Sequence, residues 1–138
     1  MKTKIVAYTD GSSIGNPGPA GWAVLMDNGK EYSGSFIGTN NMAELFAAWM
    51  AVENAPPNSV VEIVTDSNLV IGWLAKGWNV KHLHIAQLIA AFWGAVQFNN
   101  VEVAFRKVKG HSNDPNNNYV DSISRYEARE MERDMREP

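Results

Sequence analysis

The chain contains no cysteine and only three histidines, which excludes a disulfide framework and any thiolate metal site and leaves carboxylate and imidazole as the available ligands. No apolar run approaches the ~20 residues that a bilayer-spanning helix needs. The opening Met1-Lys2-Thr3-Lys4 leads into a strand-like segment and not into the apolar core of a signal peptide, so a soluble cytoplasmic protein with no membrane contact is expected. Internal repeats, low-complexity tracts and linkers are absent too. With 45% hydrophobic and 20% charged residues in 138 positions, residues 1–138 are expected to form a single domain with an ordinary core.

Excess positive charge is also missing: the net charge is −3, which argues against a nucleic-acid binder relying on bulk basicity. The charge is unevenly spread, however. Between Ser67 and Gly110 the five bases Lys76, Lys81, Arg106, Lys107 and Lys109 face Glu102 alone, a balance of +4, and the other seven bases and fourteen acids leave −7. A basic face beside an acidic centre would give this pattern, and so would a solvated surface with no partner.

What is present begins with Ile5–Trp22, IVAYTDGSSIGNPGPAGW. An apolar run ends at Asp10, a glycine- and proline-rich segment turns the chain, and a second apolar run returns. Strands are predicted at about Lys4–Thr9, Ala20–Met26 and Lys30–Ile37, with Asp27-Asn28-Gly29 as the hairpin turn between the last two. A helix over Met42–Ala55 is stopped by Pro56-Pro57 and is apolar over most of its circumference, so it should lie between layers. The β-branched run Val60–Thr65 reads as a strand ending in Asp66, followed by a short helix to about Ala75. A helix over Lys81–Phe98, a strand over Val101–Val108, the polar loop Lys109–Asn118 and a helix from Tyr119 to about Met135 complete the chain. A three-strand meander followed by strand–helix units predicts an α/β fold with a mixed sheet and helices packed on its faces.

Four acids stand out by position. Asp10 and Asp66 each end a predicted strand, and Glu44 and Asp121 each lie near a predicted helix start. Parallel strand ends share one edge with the starts of the following helices, so the four could converge. Any one of them alone is as well explained by turn, cap or helix-dipole chemistry. Converged, they would repel unless cations held them, and hard oxygen donors select Mg²⁺ or Mn²⁺. Two such ions about 3.5–4 Å apart are a known device for in-line phosphoryl displacement.

The segments Tyr8-Thr9-Asp10-Gly11-Ser12, Gly15-Asn16-Pro17-Gly18-Pro19-Ala20-Gly21, Asn40-Asn41-Met42-Ala43-Glu44-Leu45, Thr65-Asp66-Ser67 and Val108-Lys109-Gly110-His111, leading to Asn117 and Asp121, resemble type 1 ribonuclease H. The likeness covers roughly residues 4–130, leaving 131–138 as a charged tail. It implies the ribonuclease H-like fold, a five-stranded mixed sheet of three antiparallel strands and then parallel strands, with helices on both faces. It also implies a monomeric endonuclease that hydrolyses the RNA strand of RNA–DNA hybrids with two Mg²⁺ ions, leaving 5′-phosphate and 3′-hydroxyl ends. Asp10 would bridge the two ions, Glu44 and Asp66 would hold the one on the leaving-group side, and Asp121 the one that activates water. His111 would assist protons or product departure.

Substrate contacts would fall on Asn16, Asn40, Asn41 and Asn68 in the minor groove, with Thr39 on a DNA-strand phosphate. His82 and His84 read as helix-surface residues. The chain departs from many relatives in lacking the basic protrusion, since only Gly77-Trp78-Asn79-Val80 separates the Asp66 helix from the next, and in carrying Ser122-Ile123-Ser124-Arg125-Tyr126 after Asp121. A binding module of the same fold that no longer cleaves would be expected to have lost an acid, and all four remain.

Overall fold

The structure is a computed structural model, described here for residues 2–110 and 113–137. Three strands, β1 (Lys4–Ser13), β2 (Gly18–Met26) and β3 (Glu31–Gly38), precede helix α1 (Asn40–Glu53). Strand β4 (Val60–Thr65) follows, then α2 (Asn68–Val70), which widens into a π-helical turn over Ile71–Ala75. Helix α3 (Leu83–Asn99), strand β5 (Glu102–Lys107) and helix α4 (Pro115–Arg136) end the order. The sheet order is β3-β2-β1-β4-β5. Strands β1, β2 and β3 pair antiparallel, and β4 pairs parallel with both β1 and β5, the mixed topology expected from the chain order.

Helices cover both faces. Gly11 of β1 is paired with Trp22 of β2, and the next pair is Ser12 with Gly21; successive side chains point to opposite faces. A Cβ at Gly11 would collide with the backbone of Ala43 and Glu44 in α1, whereas one at Gly21 would collide with Ser124 and Ala128 in α4. α1 therefore lies on one face and α4 on the other. The fully buried alanines Ala43, Ala47, Ala48 and Ala51 bring α1 close to the sheet while α3 packs on its far side. Ile5, Val24, Met26, Leu45, Val52, Val61, Ile63 and Phe92 fill the core between these layers.

Among the boundaries that differ from expectation, two bear on candidate site acids. The parallel pairing of β1 with β4 ends at Tyr8 and Val64, but the antiparallel ladder with β2 continues to Ser13 and Ala20. Asp10 thus lies inside β1, two residues past the parallel register, and not at the end of the strand. The turn is confined to residues 14–17, with Gly15 at φ +86°, a value only glycine adopts freely. At the other end α4 begins at Pro115, with Asp114 accepting from the N–H groups of Asn116 and Asn117. Asp121 consequently lies in the second turn of α4, still near its start but one turn deeper than a helix beginning at Tyr119 would put it. The helix runs on through the charged tail to Arg136.

Candidate active site

Three elements bring Asp10, Glu44 and Asp66 together, with one carboxylate oxygen of each lying within 4.8 Å of the others. Asp10 is supplied by β1, where it is only 4% exposed. Glu44 is held by the close approach that Gly11 permits: the Gly11 N–H donates to Glu44 Oε1 at 2.6 Å, and Glu44 is 8% exposed. Asp66 is half-buried and follows the last residue of β4, where Thr65 Oγ1 accepts the Ser67 N–H and turns the chain. Gly110 passes beside it, since a Cβ there would sit 3.3 Å from Asp66 Oδ2. Asp121 joins from α4, lining the same cavity of about 710 Å³, and its Oδ1 accepts from Arg125 Nε at 3.2 Å.

Crowding dictates the electrostatics. Burial, the hydrogen bond and charge of Glu44 and the charge of Asp66 push the Asp10 carboxyl up to about 11. Glu44 is raised by its own burial, against the opposing effect of its hydrogen bond with Asp10. Ionising all of these carboxylates side by side is unfavourable unless positive charge is added. Asp10 Oδ2 is buried with no hydrogen-bond partner, an orphaned acceptor of the kind that needs an explanation. All donors are oxygens, the preference of hard divalent cations, so the residues present fit a divalent metal. Asp10, Glu44 and Asp66 could hold such an ion, with Asp121 beside them.

The other expected site residues divide. Asn40 and Asn41, the first residues of α1, line the cavity with the carboxylates. Asn16, Thr39 and Asn68 are not part of its lining, and two of them have structural work: Asn16 Oδ1 accepts the Asn40 N–H at 2.9 Å, and Thr39 caps α1 by accepting the Met42 N–H. Asn68 is exposed at the start of α2, where the cap is Ser67. His111 lies outside the described residues. His82 and His84 are exposed at the start of α3, as expected of surface residues. The sequence reading missed Arg125, Arg129 and Glu132, which line the cavity. Their spacing from Asp121, at four, eight and eleven residues, places them on one helical stripe and was the available signal.

The family model described as RNase H matches residues 2–129. Ribonuclease H of Xanthomonas campestris pv. campestris (strain 8004) is 38% identical over 142 residues, covering 90% of this chain and 91% of that protein. Ribonuclease HI of Xylella fastidiosa (strain 9a5c) is 39% identical with the same coverage. Among solved structures, the N-terminal RNase H domain of a Mycobacterium tuberculosis protein superposes with a TM-score of 0.82 at 23% identity, covering 97% of this chain and 99% of that one. LC11-RNase H1, solved in complex with an RNA/DNA hybrid, gives 0.78 at 24% identity, covering 92% of this chain and 98% of that one. With the sheet order, the buried carboxylates and a match over nearly the whole length, the chain belongs to the ribonuclease H family of endonucleases.

Proposed function

We propose that this protein hydrolyses the RNA strand of RNA–DNA hybrids, leaving 5′-phosphate and 3′-hydroxyl ends, with two Mg²⁺ ions as cofactor and Mn²⁺ as the alternative. The observation that carries the reading is the convergence of Asp10, Glu44 and Asp66 within 4.8 Å around an Asp10 oxygen that no protein group satisfies. Asp10, Glu44, Asp66 and Asp121 would hold the ions. Bound there, the metal supplies a water of lowered pKa and neutralises charge on the leaving oxygen. The water oxygen bonds to phosphorus as the bond to the 3′-oxygen breaks, and that oxygen leaves with a proton.

The remaining work is positioning. Asn40 and Asn41 present amide groups to the cavity from the start of α1, suited to the 2′-hydroxyls and base edges of a wide, shallow minor groove. Asn16 commits its carbonyl to the α1 backbone, which leaves its NH₂ as the group able to donate to substrate. Thr39 and Asn68 complete the proposed contacts on the two strands. His111 is assigned to proton transfer or product departure, so His111→Ala should slow turnover without abolishing it. Incubating labelled hybrid, duplex RNA and duplex DNA with and without Mg²⁺ tests the reading. Cleavage of only the RNA strand of the hybrid, dependent on Mg²⁺ and giving 5′-phosphate ends, is expected. Metal-independent cleavage, or equal cleavage of duplex DNA, would overturn it.

A further inference from the structure

Three of the four arginines of helix α4 are held in ion pairs. Arg125 reaches Asp121, Arg133 pairs with Glu130, and Arg136 pairs with Glu132 at 3.4 Å. Arg129 is the exception: it is exposed and makes no ion pair among the described residues, yet it lines the same cavity as the four carboxylates. Its neighbour one turn back on that stripe is Arg125, a like charge at the spacing where two side chains meet and repel. Arg125 spends its Nε on Asp121, and its two terminal nitrogens make no hydrogen bond among the described residues. Of the charged residues that α4 gives to the cavity lining, Asp121 is paired with Arg125 and Glu132 with Arg136. This leaves the Arg129 guanidinium as the one without an acidic partner among the described residues and open to an anion, with the Arg125 terminal nitrogens one turn away.

We infer that Arg129, with Arg125 behind it, binds a backbone phosphate of the RNA strand next to the one being cut. This rests on the hybrid reading above and adds to it a positively charged contact on α4. A rise of about 1.5 Å per residue carries Arg129 one further turn from Asp121 than Arg125, so it serves a flanking phosphate and not the one at the carboxylates. A guanidinium offers a planar pair of donors to phosphate oxygens, which a lysine reproduces only as a point charge. The contact also compensates in part for the missing basic protrusion, because it places positive charge beside the acidic centre in a chain of net charge −3.

The test uses the full chain and hybrids of one sequence. In one set, each RNA-strand linkage flanking the cut is replaced in turn by a neutral methylphosphonate on a 2′-deoxy sugar, with the ordinary 2′-deoxy phosphate as control. Arg129→Gln should raise KM about three- to five-fold, as expected for a partly exposed charge pair, with kcat unchanged within error, and Arg129→Lys should recover part of the loss. In the wild type, one neutral linkage should raise KM by a similar factor, and Arg129→Gln should be insensitive to that same linkage. Equal KM for wild type and Arg129→Gln, or additive losses at every linkage, would overturn the assignment while leaving the hybrid reading intact. A wild type that fails to cleave the unmodified hybrid would overturn both.

Discussion

Asp10 is a residue whose charge the fold tolerates poorly. Its folded-state pKa is raised above the ordinary value of 3.8 to about 11, so the protonated form is the one that the metal-free protein favours. The associated stability is fully present below about pH 4, where the unfolded chain is also protonated, and is lost as pH rises toward the folded value. In EDTA, wild-type stability should therefore decline through the neutral range. Asp10→Asn keeps the shape and cannot ionise, so it should abolish cleavage and yet melt higher than the metal-free wild type at pH 7. A gain of about 1 kcal/mol, ~3–6 °C for a chain of this size, is expected. The difference between the two should widen with pH, which melting curves at pH 5, 7 and 9 would read; a variant that melts lower throughout would show that Asp10 is not a strained carboxylate.

At the scale of elements, the join between β1 and α1 sets the site. Gly11 has no room for a side chain, because a Cβ would strike the backbone of Ala43 and Glu44, and its N–H holds Glu44 in place. Gly11→Ala should cost about 1–3 kcal/mol as an overpacked contact and, by pushing Glu44 outward, lower metal-dependent activity by more than the lost fold alone explains. Thermal unfolding and cleavage rates on the same samples separate the two effects. The same elements show what could be read in the chain itself. Strand β4 and helix α1 were legible because their apolar patterns are long and strongly punctuated, by Asp66 and by Pro56-Pro57. Gly11-Ser12-Ser13 looked like turn chemistry, but pairing with β2 outweighs weak strand propensity. Asn116–Asn118 looked like loop, until Asp114 and a proline at the first helical position started α4 upstream of them. The acids were findable through the motifs around them more than through their positions, since only Asp66 directly follows the end of an element, while Asp10 lies inside β1 and Glu44 and Asp121 lie in the second turns of α1 and α4. Arg125 and Arg129 share the helical stripe of Asp121, but which face of α4 meets the cavity is decided by how that helix packs on β2, a tertiary fact that the spacing alone does not reveal.

For the molecule as a whole, the carboxylates tie distant parts of the chain to one another. They come from β1, α1, β4 and α4, with α1 and α4 on opposite faces of the sheet, so an ion shared among them would bridge both layers at once. Binding only to the folded chain adds stability as RT ln(1 + [L]/Kd), about 2.7 kcal/mol at a hundred-fold excess over Kd. Mg²⁺ should therefore raise Tm cooperatively across the whole molecule, by roughly 6–15 °C, and Na⁺ at equal ionic strength should not. The rise ought to be largest where the metal-free protein is weakest, at neutral to alkaline pH, since there the ion replaces the proton that Asp10 would otherwise retain. Calorimetry of wild type and Asp10→Asn across a Mg²⁺ titration distinguishes this linkage from general screening: screening would raise both proteins alike, whereas a shared ion raises the wild type and leaves the variant nearly flat.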